Sequence, residues 1–166
     1  MELEADYIKV REHYAAIGHV AAAWAAFEQR LQWELWALAG IEGVVGAILT
    51  ANIGVSARFL DAIAALCRYR GADEPSMKAL DKLTGKSLGL AKRRNRAVHD
   101  PWGFAENEAP YRLEISAAKE LKMGAVPVPT TELASLAKEI LAHTTTFEDR
   151  LREIRRKLAA SPDRFP

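Results

Sequence analysis

The fold is decided by residues 14–40, YAAIGHVAAAWAAFEQRLQWELWALAG, a long segment with helical periodicity. Its apolar positions recur at steps of three and four, the spacing that places residues on one face of an α-helix. They are Tyr14, Ile17, Ala21, Trp24, Phe27, Leu31, Leu35 and Leu38. The pattern predicts a first helix from about Glu4 to Ala39, and Gly40 is suited to end it.

The same periodicity continues outward from this first helix. It predicts further helices over Val44–Ala51, Val55–Arg70, Pro75 to about His99, and Thr130 or Thr131 to Leu158. Strict alternation at Tyr111–Ile115 is typical of a strand, and Leu121–Val128 can return as its hairpin partner. We therefore expect an all-α, up-and-down bundle of four to five helices with a small β-hairpin insertion before the last helix.

Length and composition limit the classes of protein that this chain can belong to. With 166 residues and 49% hydrophobic content, we expect one domain over residues 1–160 and a frayed tail over 161–166. The net charge of +1 excludes a global basic field, so any nucleic-acid surface must be local. The single cysteine, Cys67, excludes an internal disulfide, and the acidic start is unlike a secretory signal. We expect a cytoplasmic protein without a membrane segment.

The local basic surface lies in AKRRNRAVHDPWG, residues 91–103. Pro101 cannot donate an amide hydrogen and disfavours the helical conformation at Asp100, so the helix should end near His99. Asn95 and His99 then share one face, and Arg94 is long enough to reach the same space. Arg94 also falls in line with core positions, where a guanidinium is costly unless it meets an anion, a carboxylate or a polar groove.

The sequence Arg94-Asn95-x-x-x-His99, near the end of the penultimate long helix and followed by Trp102-Gly103, resembles the R-x(4-6)-H signature of the HEPN superfamily (higher eukaryotes and prokaryotes nucleotide-binding domains). The layout is similar too, with a long first helix containing Trp24 to Leu31 and a final amphipathic helix. Glycine commonly follows the histidine in such sequences, whereas this chain has Asp100.

The resemblance implies a metal-independent endoribonuclease, such as a toxin or an anti-phage defence effector, that needs no cofactor. His99 would act as general base or acid, because an imidazole titrates near neutrality. Arg94 would hold the scissile phosphate, and Asn95 would orient the imidazole or bond a phosphate. Two copies of the motif would meet across a homodimer, and an antitoxin or other regulatory protein would be a further partner.

Several neighbouring residues have both a functional and a structural interpretation. Lys92, Arg93 and Arg96 would attract an RNA backbone, or they are solvated surface residues. Trp102 would stack on a base, or it covers the core. No histidine pair has the spacing of a helical zinc site, so we predict no metal and interpret His13, His19 and His143 as structural.

Two other functions compete with the nuclease. The first is a catalytically inactive RNA-binding or protein-interaction module, in which Arg94 pairs with a buried carboxylate and His99 caps its own helix. The second is a helical bundle that holds an anionic small molecule, such as a nucleotide, at Arg94.

Overall fold

The structure is a computed structural model that describes residues 2–51, 53, 56–105, 108–116 and 122–160, with the backbone alone at residues 2–6, 116 and 122. It contains five helices and three strands within these residues. In chain order they are α1 (Glu2–Ala39), α2 (Gly43–Thr50), α3 (Ser56–Tyr69), α4 (Glu74–His99), β1 (Trp102–Gly103), β2 (Tyr111–Ser116), β3 (Lys122–Pro127) and α5 (Thr130–Ala159).

The predicted fold class is confirmed at this level, because the chain is mostly helical and its strands precede the last helix. Each predicted helix begins and ends within about two residues of an observed one. The up-and-down arrangement and the single domain stay predictions, and the predicted frayed tail, 161–166, lies outside the described residues.

Contacts divide the chain into two compact units. The first unit comprises Met1–Trp24 and Leu90–Ile140, and the second comprises Ala25–Gly89 and Leu141–Pro166. Since α1, α4 and α5 are long, each of them contributes residues to both units. All of the candidate site residues belong to the first unit.

The sheet of the first unit is larger than the predicted hairpin. Its strands are antiparallel in the order β1-β2-β3, with Arg112 of β2 facing Trp102 on one side and Val126 on the other. A two-residue strand such as β1 is too short to show alternation, which is why the sequence did not reveal it. The absence of a side chain at Gly103 of β1 leaves room for the outer end of the Tyr111 ring on the paired strand.

The buried face of α1 in the first unit differs from the predicted one. Tyr14, predicted to be in the core, is 53% exposed, whereas His13 is completely buried. The nitrogen Nδ1 of His13 shares a 3.0 Å hydrogen bond with the hydroxyl of Thr130, the first residue of α5. A buried imidazole that has a polar partner thus takes the inward position that the hydrophobic pattern assigned to Tyr14.

The second unit has an apolar core with two polar features. Leu31, Phe27 and Phe147 are among its fully buried side chains, and the buried hydroxyl of Ser87 lies 2.8 Å from Nε2 of His143. Burial raises the pKa of the Cys67 thiol to about 11, so this cysteine is an unreactive core residue.

Candidate functional site

The site is built on the last turn of α4, which ends at His99 as predicted. The amide of Asp100 still donates a 3.2 Å hydrogen bond to the carbonyl of Arg96, and Pro101 then prevents continuation of the helix. His99 is exposed, and among the described residues its imidazole has no hydrogen-bond partner. The imidazole is therefore accessible to solvent and to ligands.

The motif residues Arg94, Asn95 and His99 come from one continuous helix. Asn95 and His99 are four residues apart, so they are neighbours on the helix surface, and both are exposed. The Nη1 of Arg94 donates a 2.8 Å hydrogen bond to the side-chain oxygen of Asn95. The guanidinium of Arg94 thus contacts the side chain of Asn95, and its sharing a site with His99 stays a prediction.

Arg94 is the one of these three residues that is partly buried. Its side chain is half-buried, and its Nε is buried without a hydrogen-bond partner. Within the described part of the chain no carboxylate pairs with it, so the predicted structural alternative, a buried ion pair, is not present among those residues. A half-buried guanidinium without a carboxylate is costly, and an anion such as a phosphate would satisfy it.

The flanking basic residues differ in how far their charges are neutralised. Lys92 is exposed and has no ion-pair partner among the described residues. Arg93 forms a 2.6 Å ion pair with Glu139 of α5, and Arg96 pairs with Glu114 of β2. Lys92, Arg93 and Arg96 nevertheless line the same groove of about 330 Å³, whose lining does not include Arg94, Asn95 or His99. The groove is less basic than the sequence suggested, because carboxylates occupy two of these guanidinium groups.

The indole nitrogen of Trp102 is hydrogen-bonded within the protein. Its Nε1 donates a 3.0 Å hydrogen bond to the carbonyl of Ala97, and its ring meets the edge of the His13 ring at a centroid distance of 4.4 Å. These contacts correspond to the structural interpretation of Trp102, in which the tryptophan covers the core. The tryptophan is only half-buried, so base stacking on its open side stays a prediction.

Sequence reasoning missed Arg112 and its partners. The Nε of Arg112 lies 3.2 Å from a carboxylate oxygen of Asp100, and its Nη2 donates to Glu114. Alternation along β2 does place Arg112 and Glu114 on one face, so that contact had a signal in the sequence. The contact with Asp100 had none, because it joins residues that are distant along the chain. Asp100, near which the sequence predicted the end of α4, thus also forms an ion pair.

Two titratable side chains near the site have shifted pKa values. Hydrogen bonding from Arg112, with the nearby charge of Arg96, lowers the pKa of Glu114, so Glu114 stays ionised. Burial lowers the pKa of His13, because a desolvated imidazolium is unfavourable. His13 is therefore a neutral packing residue behind Trp102.

The described residues contain neither a metal-binding cluster nor a single helix that could cross a membrane. No group of three or more histidine, cysteine, aspartate or glutamate side chains there is placed to hold a metal ion. No single helix in that part of the chain has the length and apolar character to cross a membrane, and only α1 and α2 together, bent by 119°, pass such a test.

No protein-family model, curated protein or solved structure matches this chain.

Proposed function

We propose that this chain is a metal-independent endoribonuclease of the HEPN type, with His99 and Arg94 as catalytic residues. The observation that carries the proposal is the state of Arg94, a half-buried guanidinium without a carboxylate partner in the described part of the chain. It lies on the same helix end as an exposed imidazole that has no partner there. The end of α4 would then supply both a phosphate-binding group and a proton-transfer group.

The reaction would begin with the ribose 2′-hydroxyl of the RNA. His99 accepts its proton as the 2′-oxygen attacks phosphorus, and the bond from phosphorus to the 5′-oxygen breaks. The 5′-oxygen takes a proton from a second imidazole or from water, which leaves a 2′,3′-cyclic phosphate and a 5′-hydroxyl. Arg94 binds the phosphate oxygens and stabilises the negative charge that develops on them, while Asn95 holds the guanidinium.

The proposal includes a homodimer in which two copies of the motif form one site. A second His99 would then supply the acid that complements the first imidazole as base. Exposure of His99 and Asn95 is compatible with this arrangement, since residues of a composite site must be accessible in each single copy. We therefore propose RNA and a second copy of the chain as partners.

The test is cleavage of single-stranded RNA by purified protein in the presence of a chelator. We expect cleavage products with 2′,3′-cyclic phosphate ends, and a loss of rate of about 10²–10⁴-fold in His99→Ala. His19→Ala is the matched control, because His19 is an exposed histidine of α1 outside the site. Equal cleavage by wild type and a folded His99→Ala variant would contradict the proposal.

A second candidate is a catalytically inactive RNA-binding or protein-interaction module. It is favoured by the neutralisation of Arg93 and Arg96, which leaves less free positive charge for an RNA backbone. RNA binding by the wild-type protein without cleavage would support it.

A further inference from the structure

Four charged side chains are linked by ion pairs at the end of α4. We call them the charge cluster: Arg96, Asp100, Arg112 and Glu114. Glu114 accepts hydrogen bonds from both Arg96 and Arg112 through the same oxygen. Arg112 in turn contacts Asp100 at 3.2 Å. Two positive and two negative charges therefore balance within the cluster, and β2 is connected to two points on the end of α4.

The position of the cluster along the chain is specific. Arg96 precedes His99 by three residues, and Asp100 follows it directly. The cluster therefore holds the last helical turn on both sides of His99. The backbone contributes to the same connection, since the amide of Leu113 donates a 2.9 Å hydrogen bond to the carbonyl of Pro101.

Arg112 is the most buried member of the cluster. Its side chain is 14% exposed, compared with 31% for Asp100 and 43% for Arg96. Such a side chain is shielded from water and has little freedom to leave its partners, unlike an exposed surface pair. We therefore expect Arg112 to be the residue on which the geometry of the cluster depends.

Asp100 makes Arg112 necessary for electrostatic reasons. The end of a helix carries a partial negative charge from its free carbonyl groups, so a carboxylate directly after the last residue is unfavourable there. The guanidinium of Arg112 compensates for this repulsion. Without Arg112, the carboxylate of Asp100 would disfavour the final turn of α4, which is the turn that carries His99.

We propose that Arg112 is a positioning residue for His99, which it holds in place through its contacts with Asp100 and Glu114. The catalytic part of this inference rests on the nuclease activity proposed above, whereas the structural part does not. Arg112 keeps the last turn of α4 ordered, and this order in turn determines the rate of proton transfer by His99.

The experiment compares wild type with Arg112→Gln, Arg112→Lys and the double variant Arg112→Gln with Asp100→Asn. Amide hydrogen exchange of Asp100 reports the last turn directly, because this amide donates to the carbonyl of Arg96. We expect exchange at least about ten-fold faster in Arg112→Gln, partial protection in Arg112→Lys, and recovery in the double variant because the uncompensated carboxylate is gone.

The kinetic measurement uses RNA cleavage by the same variants. Since small misplacements of catalytic groups are costly, we expect kcat to fall by between about ten-fold and a hundred-fold in Arg112→Gln with little change in KM. Arg152→Gln is the control, because it removes an exposed arginine from an ion pair of α5 in the second unit. It should change neither exchange at Asp100 nor cleavage.

The two proposals fail in different ways. If wild type does not cleave RNA, the nuclease proposal fails, and amide exchange still decides whether Arg112 orders the end of α4. If wild type cleaves RNA, and Arg112→Gln changes neither exchange at Asp100 nor kcat, the positioning role is overturned while the nuclease stands. If Arg112→Gln does not fold, unchanged exchange and kcat in Arg112→Lys overturn the role.

Discussion

The indole nitrogen of Trp102 donates a hydrogen bond to the carbonyl oxygen of Ala97, 3.0 Å away and two residues before the end of α4. The last four carbonyl groups of a helix have no partner within the helix, and this contact satisfies one of them. The ring of His13 packs edge-on against the same indole. Trp102, which follows α4 along the chain, thus caps the end of the helix that carries His99.

We expect Trp102→Phe to lower the free energy of unfolding by about 1 kcal/mol, because the ring remains but the hydrogen bond is lost. Urea denaturation followed by circular dichroism measures this change. Trp33→Phe is the matched control, since Trp33 is 45% exposed and a phenylalanine keeps a ring beneath Arg30. The same small change in both variants would mean that the bond to Ala97 contributes nothing to stability.

Arg94→Met should separate function from stability. Removing a half-buried guanidinium whose Nε has no partner should leave the free energy of unfolding unchanged or raise it by up to about 1 kcal/mol. The same variant should lose RNA cleavage, since methionine cannot bind a phosphate. Arg93→Met serves as a reference for stability, because it disrupts only an exposed ion pair. A clear loss of stability in Arg94→Met would instead assign Arg94 a structural role.

His13 should make the protein less stable in mild acid. Burial lowers its pKa in the folded chain, so below the ordinary value of about 6.5 the unfolded chain binds more protons than the folded one. The contribution of neutral His13 to the free energy of unfolding is therefore fully present above about pH 6.5, and it is lost as the pH falls through the lowered pKa.

Replacing His13 with phenylalanine keeps a buried ring and removes the titrating group. We expect the difference in unfolding free energy between pH 7.5 and pH 5.5 to become smaller in His13→Phe than in wild type. The exposed His19 provides the control, and His19→Gln should keep the difference observed in wild type. A pH dependence that is identical in His13→Phe and wild type would exclude His13 as its source.

Two glycine-to-alanine substitutions should have opposite effects. A β-carbon at Gly46 of α2 would lie 2.5 Å from the indole Cγ of Trp36, so Gly46→Ala should cost about 1–3 kcal/mol through overpacking. A β-carbon at Gly18 of α1 would meet no atom within 4 Å, so Gly18→Ala should stabilise the helix by about 0.5–1 kcal/mol. Thermal melting of both variants tests the packing of Trp36 on α2, and a stable Gly46→Ala variant would contradict it.

Much of the fold was accessible from the sequence because helical periodicity is a local property. The long apolar repeat that contains Trp24, Phe27 and Leu31 identified α1, and Pro101 identified the end of α4. The shared surface of Asn95 and His99 followed from the same geometry, since it depends only on the number of residues in a helical turn.

Tertiary contacts decided what the sequence could not. His13 rather than Tyr14 faces the core because its partner, Thr130, comes from a distant helix. The positive charges of Arg93 and Arg96 are partly neutralised by carboxylates of α5 and β2.

The sequence by itself therefore determined the helices and which side chains share a face of α4, because these depend on spacing along the chain. Only the tertiary structure decided which charges meet an opposite charge, as in the pairing of Asp100 with Arg112, and which have no carboxylate partner among the described residues, as in Arg94. The physical reason is that an ion pair depends on distance in space, and residues that are far apart in sequence leave no periodic signal of their proximity.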